Sequence, residues 1–464
     1  MIKPVFKELL EFRAVTVSDI IDVIKSLPNK QSSLDPIPCN LVKLCQSELS
    51  LVFKKVINSS FKLGAFPNSL KVATVTPIIK SSRLDSELFN SYRPISNLTI
   101  LSKLLEKCVL NQLVDHLNIN NLYCELQSAY RPGHSCETAL MKIHHDTLNY
   151  LSSTTYAVLV FLDFSAAFDT IDHDILLKRL KFNFGINHKA LDWFSSYLQH
   201  RSYKVKINNT LSDGTKLNYG VPQGSILGPI LFSLYITKIN NIISSHNLSC
   251  HFYADDIQIY LKCDNNTDFK NLINCLEQIN EWTSCNYLRL NSSKTKIMAV
   301  YPQNYRQTKI TELNIMGETI KVENTVKNLG FTIDKNLRMD KQINQVCSQG
   351  YFMLRRLWKI SDKVTNISLR TQLVHSGILS KIDYCNSLYA SLPNIQIKKL
   401  QKLINSSARF IFNIKGKARF QHITPKLQQL HFLPMEYRIK FKICLMVYKT
   451  INNINAPPRY TYNN

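Results

Sequence analysis

The chain has 464 residues, and its 57 lysines and arginines against 33 aspartates and glutamates give a formal net charge of +24 at pH 7. Hydrophobic residues make up 45% and aromatic residues 10%, whereas glycine and proline number only 12 and 16. This composition excludes a wholly disordered chain and a collagen-like chain, and the basic excess predicts a polyanionic partner, with nucleic acid ahead of an anionic membrane surface.

The sequence carries no signal for membrane insertion or secretion. No run of about 18 apolar residues occurs, so no spanning helix is predicted. The segment from Met1 to Glu8 lacks the continuous apolar stretch of a signal peptide. Twelve cysteines are scattered without a CxxC pair, so a zinc site of the usual spacing is not expected. We interpret them as reduced, mostly buried thiols of an intracellular protein that is not secreted.

Helical patterns open the chain between residues 16 and 63, where Thr16 is predicted to cap the first helix. Residues 72–79 are rich in β-branched side chains and predict a strand interrupted by Pro77. Apolar side chains spaced three to four residues apart over residues 101–113 predict the helix that follows.

Strand and helix patterns alternate in the middle of the chain. Residues 156–164 form a nearly continuous apolar run, which suits a strand buried on both faces. Residues 226–236 predict a strongly apolar helix, and residues 251–261 predict a hairpin. Two further helices and a hairpin arm are predicted near residues 175–185, 191–198 and 203–209. After about residue 336 the patterns become basic and helical.

Three aspartates lie at predicted strand ends. Asp255 and Asp256 are adjacent between two β-type segments, and Asp163 ends the buried strand. Because neighbouring side chains on a strand point to opposite faces, a tight turn is needed if both adjacent acids are to face one site. Carboxylates beside apolar strands repel each other, and a divalent cation removes that penalty. The pattern predicts a two-metal phosphoryl-transfer site, with an exposed Asp-Asp turn and a helix-capping Asp163 as structural alternatives.

A glycine-rich segment from Tyr219 to Pro229 is the third candidate element. Its glycines at every fourth position, Gly220, Gly224 and Gly228, allow close backbone approach, and a helix N-terminus attracts phosphate. The segment lacks the GxxxxGK[ST] pattern of a P-loop, so a plain turn before a core helix is an equal alternative. Upstream, we interpret Asp169, Asp172 and Asp174 as solvent-facing charges at a helix N-terminus.

The order of FLDFSAAFD, GVPQGSILGP and FYADD resembles the palm motifs of reverse transcriptases, in particular those of jockey-like non-LTR (LINE-type) retrotransposons. Other segments match in order over residues 10 to 335: LPNKQSSLDPIP, FPNSLKVATVTPIIK, NSYRPISNLTILSKLLEKCVLNQL, QSAYRPGHSCETAL, NYLRLNSSKTKIM and NLGFTID. The resemblance implies an α+β fold, a right-hand polymerase with fingers, a ferredoxin-like antiparallel palm and a mostly helical thumb. The implied domains are an N-terminal extension with fingers (1–150), a palm that includes the helices of 186–222 (151–335), and a basic helical thumb and C-terminal region (336–464).

The resemblance also assigns roles to individual residues. Asp163, Asp255 and Asp256 would hold two Mg²⁺ ions, for which Mn²⁺ is expected to substitute, together with the backbone carbonyl of Phe164. Phe168 would lie under the incoming sugar and select deoxynucleotides. Gln223 and Gly224 would contact the nucleotide and the template, and Lys80 and Arg93 would contact the triphosphate. Lys294 would lie near the leaving pyrophosphate as a candidate proton donor. Leu329 and Gly330 would belong to the primer grip.

The implied activity is RNA-directed DNA polymerisation, in which deoxynucleoside triphosphates extend a DNA primer 3′-hydroxyl on an RNA template, without a membrane partner. The nucleus or the cytoplasm is the implied compartment. The basic C-terminal third would hold the nucleic-acid backbone without reading its sequence. Arg131 and His134 are expected at the surface or on the template backbone, and Trp358 and Phe410 in the core. The candidate backbone contacts are Arg131, Arg355, Arg356, Lys359, Lys398, Lys399, Lys402, Arg409, Lys415, Lys417 and Arg419.

The chain departs from the family pattern in two respects. Residues 33–36, Ser-Leu-Asp-Pro, replace a GPDG-type turn. Met1 lies almost at the start of the match, so this sequence is expected to encode no endonuclease, and no acidic series after residue 340 resembles an RNase H. Three alternatives remain open: a different right-hand polymerase such as a group II intron maturase, a catalytically inactive or domesticated nucleic-acid-binding remnant, and an unrelated basic scaffold.

Overall fold

A computed structural model describes residues 7–29, 32–81, 84–151, 156–263, 266–302, 310–315, 317–416 and 421–452. Lys417 and Arg419, two of the predicted backbone contacts, lie outside these ranges. The described residues form an α+β fold, which confirms the predicted class. All twelve cysteines are free thiols and seven of them are buried. None of the described helices has the length and apolarity needed to cross a membrane.

The α-helices, in chain order, are α1 Val17–Ser26, α2 Cys39–Leu44, α3 Gln46–Leu63, α4 Ile100–Ile119, α5 Cys136–Leu151, α6 His173–Phe184, α7 His188–Leu198, α8 Gly228–Ile236, α9 Lys238–Ser245, α10 Asn266–Cys285, α11 Asp340–Lys359, α12 Ile367–Val374, α13 Ser380–Asp383, α14 Asn394–Ile411, α15 Thr424–Gln429 and α16 Met435–Ile451. Short 3₁₀ turns occupy Asn68–Leu70, Phe89–Ser91 and Asn386–Tyr389.

The strands are β1 Val72–Ile79, β2 Tyr92–Asn97, β3 Tyr156–Leu162, β4 Phe164–Ser165, β5 Arg201–Ile207, β6 Thr210–Leu211, β7 Thr215–Leu217, β8 Ser249–Tyr253, β9 Asp256–Cys263, β10 Arg289–Leu290, β11 Lys296–Val300, β12 Glu312–Ile315, β13 Glu318–Lys321, β14 Thr325–Asn328 and β15 Phe331–Asp334. The predicted strand over residues 72–79 coincides with β1, but the interruption expected at Pro77 is absent, because Pro77 pairs with Pro94 in the continuous β1–β2 register.

The chain divides into two compact units, each built from three stretches of sequence. The first unit comprises Met1–Gln127, Phe164–Ile242 and Gln278–Asn291, and the second comprises Ser128–Asp163, Ile243–Glu277 and Ser292–Asn464. The division into three consecutive ranges of fingers, palm and thumb remains a prediction.

The first unit is built on N-terminal helices and a mixed sheet. Thr16 and Asp19 form a reciprocal capping box at α1, which confirms the predicted cap. The sheet has the order β2-β1-β5-β6, with β7 also paired to β5, and only β1 and β5 run parallel. A cluster of buried rings fills the core of this unit, in which Trp193 stacks on Tyr197 at 5.6 Å. Its other members are Phe12, Phe61, Phe66 and Phe194.

The second unit contains a four-stranded antiparallel sheet in the order β11-β3-β9-β8. If these four strands are numbered 1 to 4 in chain order, their order across the sheet is 4-1-3-2. Along the chain, helices lie between strands 1 and 2 and between strands 3 and 4. This is the β-α-β-β-α-β arrangement of a ferredoxin-like sheet, which confirms the prediction. Residues 157–162 of β3 are buried without interruption, as expected for a strand covered on both faces.

The C-terminal helices of the second unit pack into the same apolar core as its sheet. Helices α11, α12, α14 and α16 contribute its apolar side chains. Trp358 and Phe410 meet edge to face at 5.3 Å, and Phe410 is fully buried, so the prediction that both rings belong to the core is confirmed. Arg370 on α12 is buried in this core and donates to the Phe410 carbonyl at 3.1 Å, whereas Arg355, Arg356 and Lys359 on α11 are exposed.

Candidate functional site

The two adjacent aspartates lie on a tight hairpin in the second unit. Strands β8 and β9 close with the pair Tyr253 and Asp256, which leaves Ala254 and Asp255 as a two-residue loop. Ala254 has a φ of 58°, in the left-handed region that hairpin loops of this length usually give to glycine. The required tight turn is therefore present, and it is held with a strained backbone at Ala254.

The strand register brings Asp163 to this hairpin. The last paired residues of β3 and β9 are Leu162 and Ile257, so one further step places Asp163 opposite Asp256. On the other side of β3, Phe161 pairs with Lys296, and two further steps place Lys294 opposite Asp163. The Lys294 Nζ lies 2.9 Å from Asp163 Oδ2. Lys294, Asp163 and Asp256 therefore form one row across three strands, which we call the carboxylate row.

The charges around this row favour a cation. Burial raises the pKa of the Asp256 carboxyl to about 6, and the neighbouring Asp255 and Asp163 add to the shift while Lys294 opposes it. Burial raises the pKa of Tyr130, and the nearby carboxylates of Asp255 and Asp256 raise it further. Carboxylate oxygens are the donors that Mg²⁺ prefers, so the residues fit a divalent ion. Across the described ranges, however, no three His, Cys, Asp or Glu side chains already surround a metal position.

Buried histidines support the hairpin from behind. The Ser128 N–H donates to the Phe252 carbonyl at 2.9 Å, and the Ser128 hydroxyl contacts His251 Nε2 at 2.9 Å and His134 Nδ1 at 3.1 Å. Burial lowers the pKa of His251 to about 3 and that of His134 to about 4, so both rings are neutral at pH 7. His134 and Arg131, expected at the surface or on the template backbone, are partly buried, and their contact with the template stays a prediction. Nothing in the sequence pattern had pointed to His251.

The glycine-rich segment forms an anchored turn in the first unit. Val221 N–H donates to the Phe168 carbonyl at 2.9 Å, and Ser96 N–H donates to the Gln223 carbonyl at 2.7 Å. Gly224 has a φ of +123°, and a Cβ there would lie 2.5 Å from the Ser96 carbonyl oxygen. The close backbone approach predicted for these glycines is confirmed.

The residues implied in nucleotide contact meet at this turn. The ring of Phe168 is half-buried and packs on Phe232 at 5.1 Å. Gln223 Nε2 donates to both carboxylate oxygens of Asp169, at 3.1 and 3.3 Å. Asp169 is exposed but lies before α6, so its interpretation as a helix N-terminal charge is wrong. That interpretation is right for Asp172, which caps the helix by accepting from the Ile175 N–H at 2.8 Å, and for Asp174 in the first helical turn.

A groove of about 560 Å³ lies beside the turn, lined by β1, β2, β5, β7 and the segment from Tyr219 to Gln223. Ile78 pairs with Arg93, so the period of two places Lys80 and Arg93 on one face of the β1–β2 ribbon. Pro77 and Pro94 alternate onto the face that lines the groove. Both cations are exposed, and Lys80 Nζ donates to the Asn90 carbonyl at 2.8 Å.

The residues implied as primer grip form another two-residue loop, in the second unit. Asn328 and Phe331 close the β14–β15 hairpin, and the loop residues Leu329 and Gly330 have φ values of 47° and 81°. The Tyr384 hydroxyl donates to the Leu329 carbonyl. Sequence reasoning did not find Tyr384, because it lies 55 residues from its partner in a segment without a motif.

Tyr384→Phe is expected to destabilise this loop by about 1 kcal/mol, the usual net value of one hydrogen bond. Amide exchange in β14 and β15 should become faster, and the denaturant midpoint should fall slightly. Tyr389→Phe is the matched control, since its ring packs on Phe331 of the same hairpin at 5.9 Å. Equal acceleration of exchange in both variants would show that the Tyr384 hydroxyl has no special role.

The basic helices present exposed cations. Arg355, Arg356 and Lys359 are exposed on α11, and Lys402 is exposed on α14. Some neighbouring cations are engaged: Lys399 Nζ donates to Asn344 Oδ1 at 3.0 Å. The four exposed cations face solvent and give each of the two helices a basic surface.

Comparison with known proteins identifies relatives. The family described as "Reverse transcriptase (RNA-dependent DNA polymerase)" matches residues 79–333, more than half of the chain. A Drosophila melanogaster protein, "Probable RNA-directed DNA polymerase from transposon BS", is 27% identical over 370 residues, 78% of this chain and 40% of that protein. "RNA-directed DNA polymerase from mobile element jockey" of the same species is 25% identical over 74% of this chain and 37% of its own length. The X-element polymerase is 25% identical over 85% and 43%.

The chain therefore spans about two fifths of the length of these curated relatives. Among solved structures, apo telomerase from Candida tropicalis truncated from its C-terminal domain aligns with a TM-score of 0.38 and 13% identity, over 59% of this chain and 58% of that one.

Proposed function

We propose, because this chain belongs to the reverse transcriptase (RNA-dependent DNA polymerase) family, that it is an RNA-directed DNA polymerase of a non-LTR retrotransposon. It would use deoxynucleoside triphosphates to extend a DNA primer 3′-hydroxyl on an RNA template. The observation that carries the proposal is the carboxylate row with Asp255 beside it, where partly buried acids repel each other and a divalent cation would offset that repulsion.

The acids of the second unit would hold the divalent ions, Mg²⁺ in the first place and Mn²⁺ as a substitute. When bound, these ions lower the pKa of an attacking hydroxyl and offset charge on a departing pyrophosphate. The protein contributes the fixed oxygen donors of Asp163, Asp255 and Asp256. Lys294, held 2.9 Å from Asp163, supplies a positive charge and a proton beside the reacting phosphates. The backbone carbonyl of Phe164, the residue after Asp163, remains a further proposed ligand.

The first unit would hold the nucleotide. Gln223 and Gly224 sit in a turn whose backbone is fixed by Ser96, so they present the same surface to each incoming nucleotide. Phe168 is held against Phe232, and a rigid ring under the sugar leaves no room for a 2′-hydroxyl. Lys80 and Arg93 share one face of a ribbon and suit the triphosphate.

The test is primer extension by the purified chain, with polyriboadenylate as template, oligodeoxythymidylate as primer, and dTTP. Extension is expected in Mg²⁺ or Mn²⁺ and not in chelator. An Asp255→Ala/Asp256→Ala double variant should bind the duplex like the parent and extend nothing. Equal extension by both proteins would overturn the site assignment.

A nucleic-acid-binding remnant without catalysis is the second candidate, and the +24 charge favours it equally well. It predicts that the folded parent binds the same duplex tightly and extends no primer in either metal. Extension by the parent therefore rejects it.

The exposed cations of α11 are expected to contact phosphates without reading sequence. The triple variant Arg355→Gln/Arg356→Gln/Lys359→Gln should reduce the slope of log K against log salt concentration by about 2 to 3. Two duplexes of different sequence should lose affinity equally in filter-binding or anisotropy titrations. Lys62→Gln, an exposed lysine at the end of α3, should leave the slope unchanged. An unchanged slope in the triple variant would remove this helix from the proposed interface.

A further inference from the structure

A fully buried carboxylate lies behind the turn that carries Gln223 and Gly224. Glu106 on α4 has no solvent exposure. Its Oε2 accepts from the N–H groups of Ile226 and Leu227, at 2.7 and 3.2 Å. The Tyr197 hydroxyl donates to the same oxygen at 3.3 Å, and the Ser102 hydroxyl donates to Oε1 at 3.1 Å. In all four hydrogen bonds the carboxylate is the acceptor, which suits its ionised form.

These contacts satisfy two backbone amides at the start of a helix, immediately before its first residue. Helix α8 begins at Gly228, and Leu227 before it provides no side-chain cap. Ser225 Oγ accepts from the Gly228 N–H at 3.0 Å, so Glu106 serves the two amides that precede it. A negative charge is also favourable at a helix N-terminus. Glu106 therefore acts as a cap supplied from a distant helix.

A buried charge costs free energy unless it is compensated, and here compensation is present. Burial raises the pKa of Glu106, whereas the Arg201 guanidinium opposes that shift. Arg201 is itself 2% exposed and donates from Nη1 to the Tyr197 carbonyl at 2.9 Å. Apolar side chains of similar volume would stabilise this core as much as the buried charges do. The retained charge suggests a role in fixing a conformation.

We propose that Glu106 is a positioning residue: its carboxylate fixes the turn from Gln223 to Leu227 and thereby sets the affinity for the incoming nucleotide. The inference deepens the proposed function and rests on it. The turn has two kinds of anchor. Ser96 N–H holds its first half by donating to the Gln223 carbonyl, and Glu106 holds its second half. Loss of Glu106 leaves the first half in place and frees the second.

Three variants test this inference. Glu106→Ala removes the acceptor, and Glu106→Gln keeps one carbonyl oxygen and should partly restore the parent behaviour. Gln112→Ala is the control, because Gln112 is a buried side chain of the same helix that bonds instead to the backbone of Arg13, at 2.8 and 3.1 Å. A general loss of helix packing would affect the control as well.

Two measurements are made on each variant: amide hydrogen exchange of Ile226 and Leu227, and equilibrium binding of dTTP to the protein with a chain-terminated duplex. For Glu106→Ala we expect exchange to quicken and dTTP affinity to fall, each by about tenfold or more, because two bonds to a charged acceptor are lost. The KM for dTTP should rise, whereas kcat and the affinity for the duplex should change little. Glu106→Gln should lie between, and Gln112→Ala should match the parent in both.

Separate results distinguish this inference from the proposed function. If the parent extends no primer, the proposed function fails, while exchange and dTTP binding still decide the role of Glu106. If the parent extends primers and Glu106→Ala binds dTTP like the parent, the inference alone is wrong. If Glu106→Ala does not fold, Glu106→Gln is compared with Gln112→Ala instead. Faster exchange of Ile226 and Leu227 in Glu106→Gln with an unchanged dTTP affinity would then overturn the inference.

Discussion

Asp256→Asn is expected to reduce primer extension by at least about 1,000-fold while making the metal-free protein more stable. The activity falls because a neutral amide replaces the carboxylate that we propose binds the metal, and charge stabilisation by a divalent ion is worth several kcal/mol in the transition state. Extension of an RNA-templated DNA primer measures the loss. The opposite signs of the two effects are what a site built for a cation predicts.

The gain in stability follows from the pKa of Asp256. Burial and the neighbouring acids raise this pKa from 3.8 to about 6 in the folded protein. Between these values the folded state binds more protons than the unfolded state, so stability falls as the pH rises and the loss is complete above about pH 6. Asparagine removes that loss, so the unfolding free energy in chelator at pH 7.5 should rise by about 1 to 3 kcal/mol.

Melting curves at pH 4 and pH 7.5 test this second effect, since the difference between parent and variant should be small at the lower pH. Asp213→Asn is the control, because Asp213 is an exposed loop residue of the first unit. It should change neither extension nor melting. A less stable Asp256→Asn protein at pH 7.5 would contradict the view that these acids repel each other.

Gly220→Ala is expected to destabilise the protein by about 4 kcal/mol. A Cβ at this position would lie 2.7 Å from the Phe168 carbonyl oxygen and 2.8 Å from backbone carbon atoms of Asp169, none of which can rotate away. The residue also has a φ of +77°, which strains any L side chain. Steric overlap and backbone strain each cost about 1 to 3 kcal/mol. Denaturant unfolding of the parent and the variant measures the difference.

Gly317→Ala separates these two costs. Gly317 has a φ of +76°, almost the same as Gly220, but no atom of the described residues lies within 4 Å of an added Cβ. Its substitution should therefore cost only about 1 kcal/mol, the strain alone. Because Phe168 and the turn are joined at Gly220, the Gly220 variant should also lose dTTP affinity. Similar losses of stability in the two variants would show that the close approach at Gly220 is not tight.

Local patterns along the chain predicted many elements because their causes lie within a few residues. The cap at Thr16, the strand over residues 72–79 and the tight turn at Asp255 depend on nearby side chains and on the period of two or 3.6. The strand-end pattern had already singled out the three aspartates, and the resemblance to reverse transcriptases added the nucleotide contacts. The α+β class and the ferredoxin-like sheet are confirmed, whereas the roles of individual site residues remain predictions.

The sequence by itself singled out the candidate site residues, and the tertiary structure decided which of them meet. Asp163 and Lys294 are separated by 131 residues, and Glu106 and Ile226 by 120. No local period connects such positions, because their contact depends on strand register and helix packing. Glu106 in particular resembles a surface position, since charged residues are mostly exposed. Only the fold shows that its carboxylate is buried, because only the fold supplies the backbone N–H groups that make burial of that charge affordable.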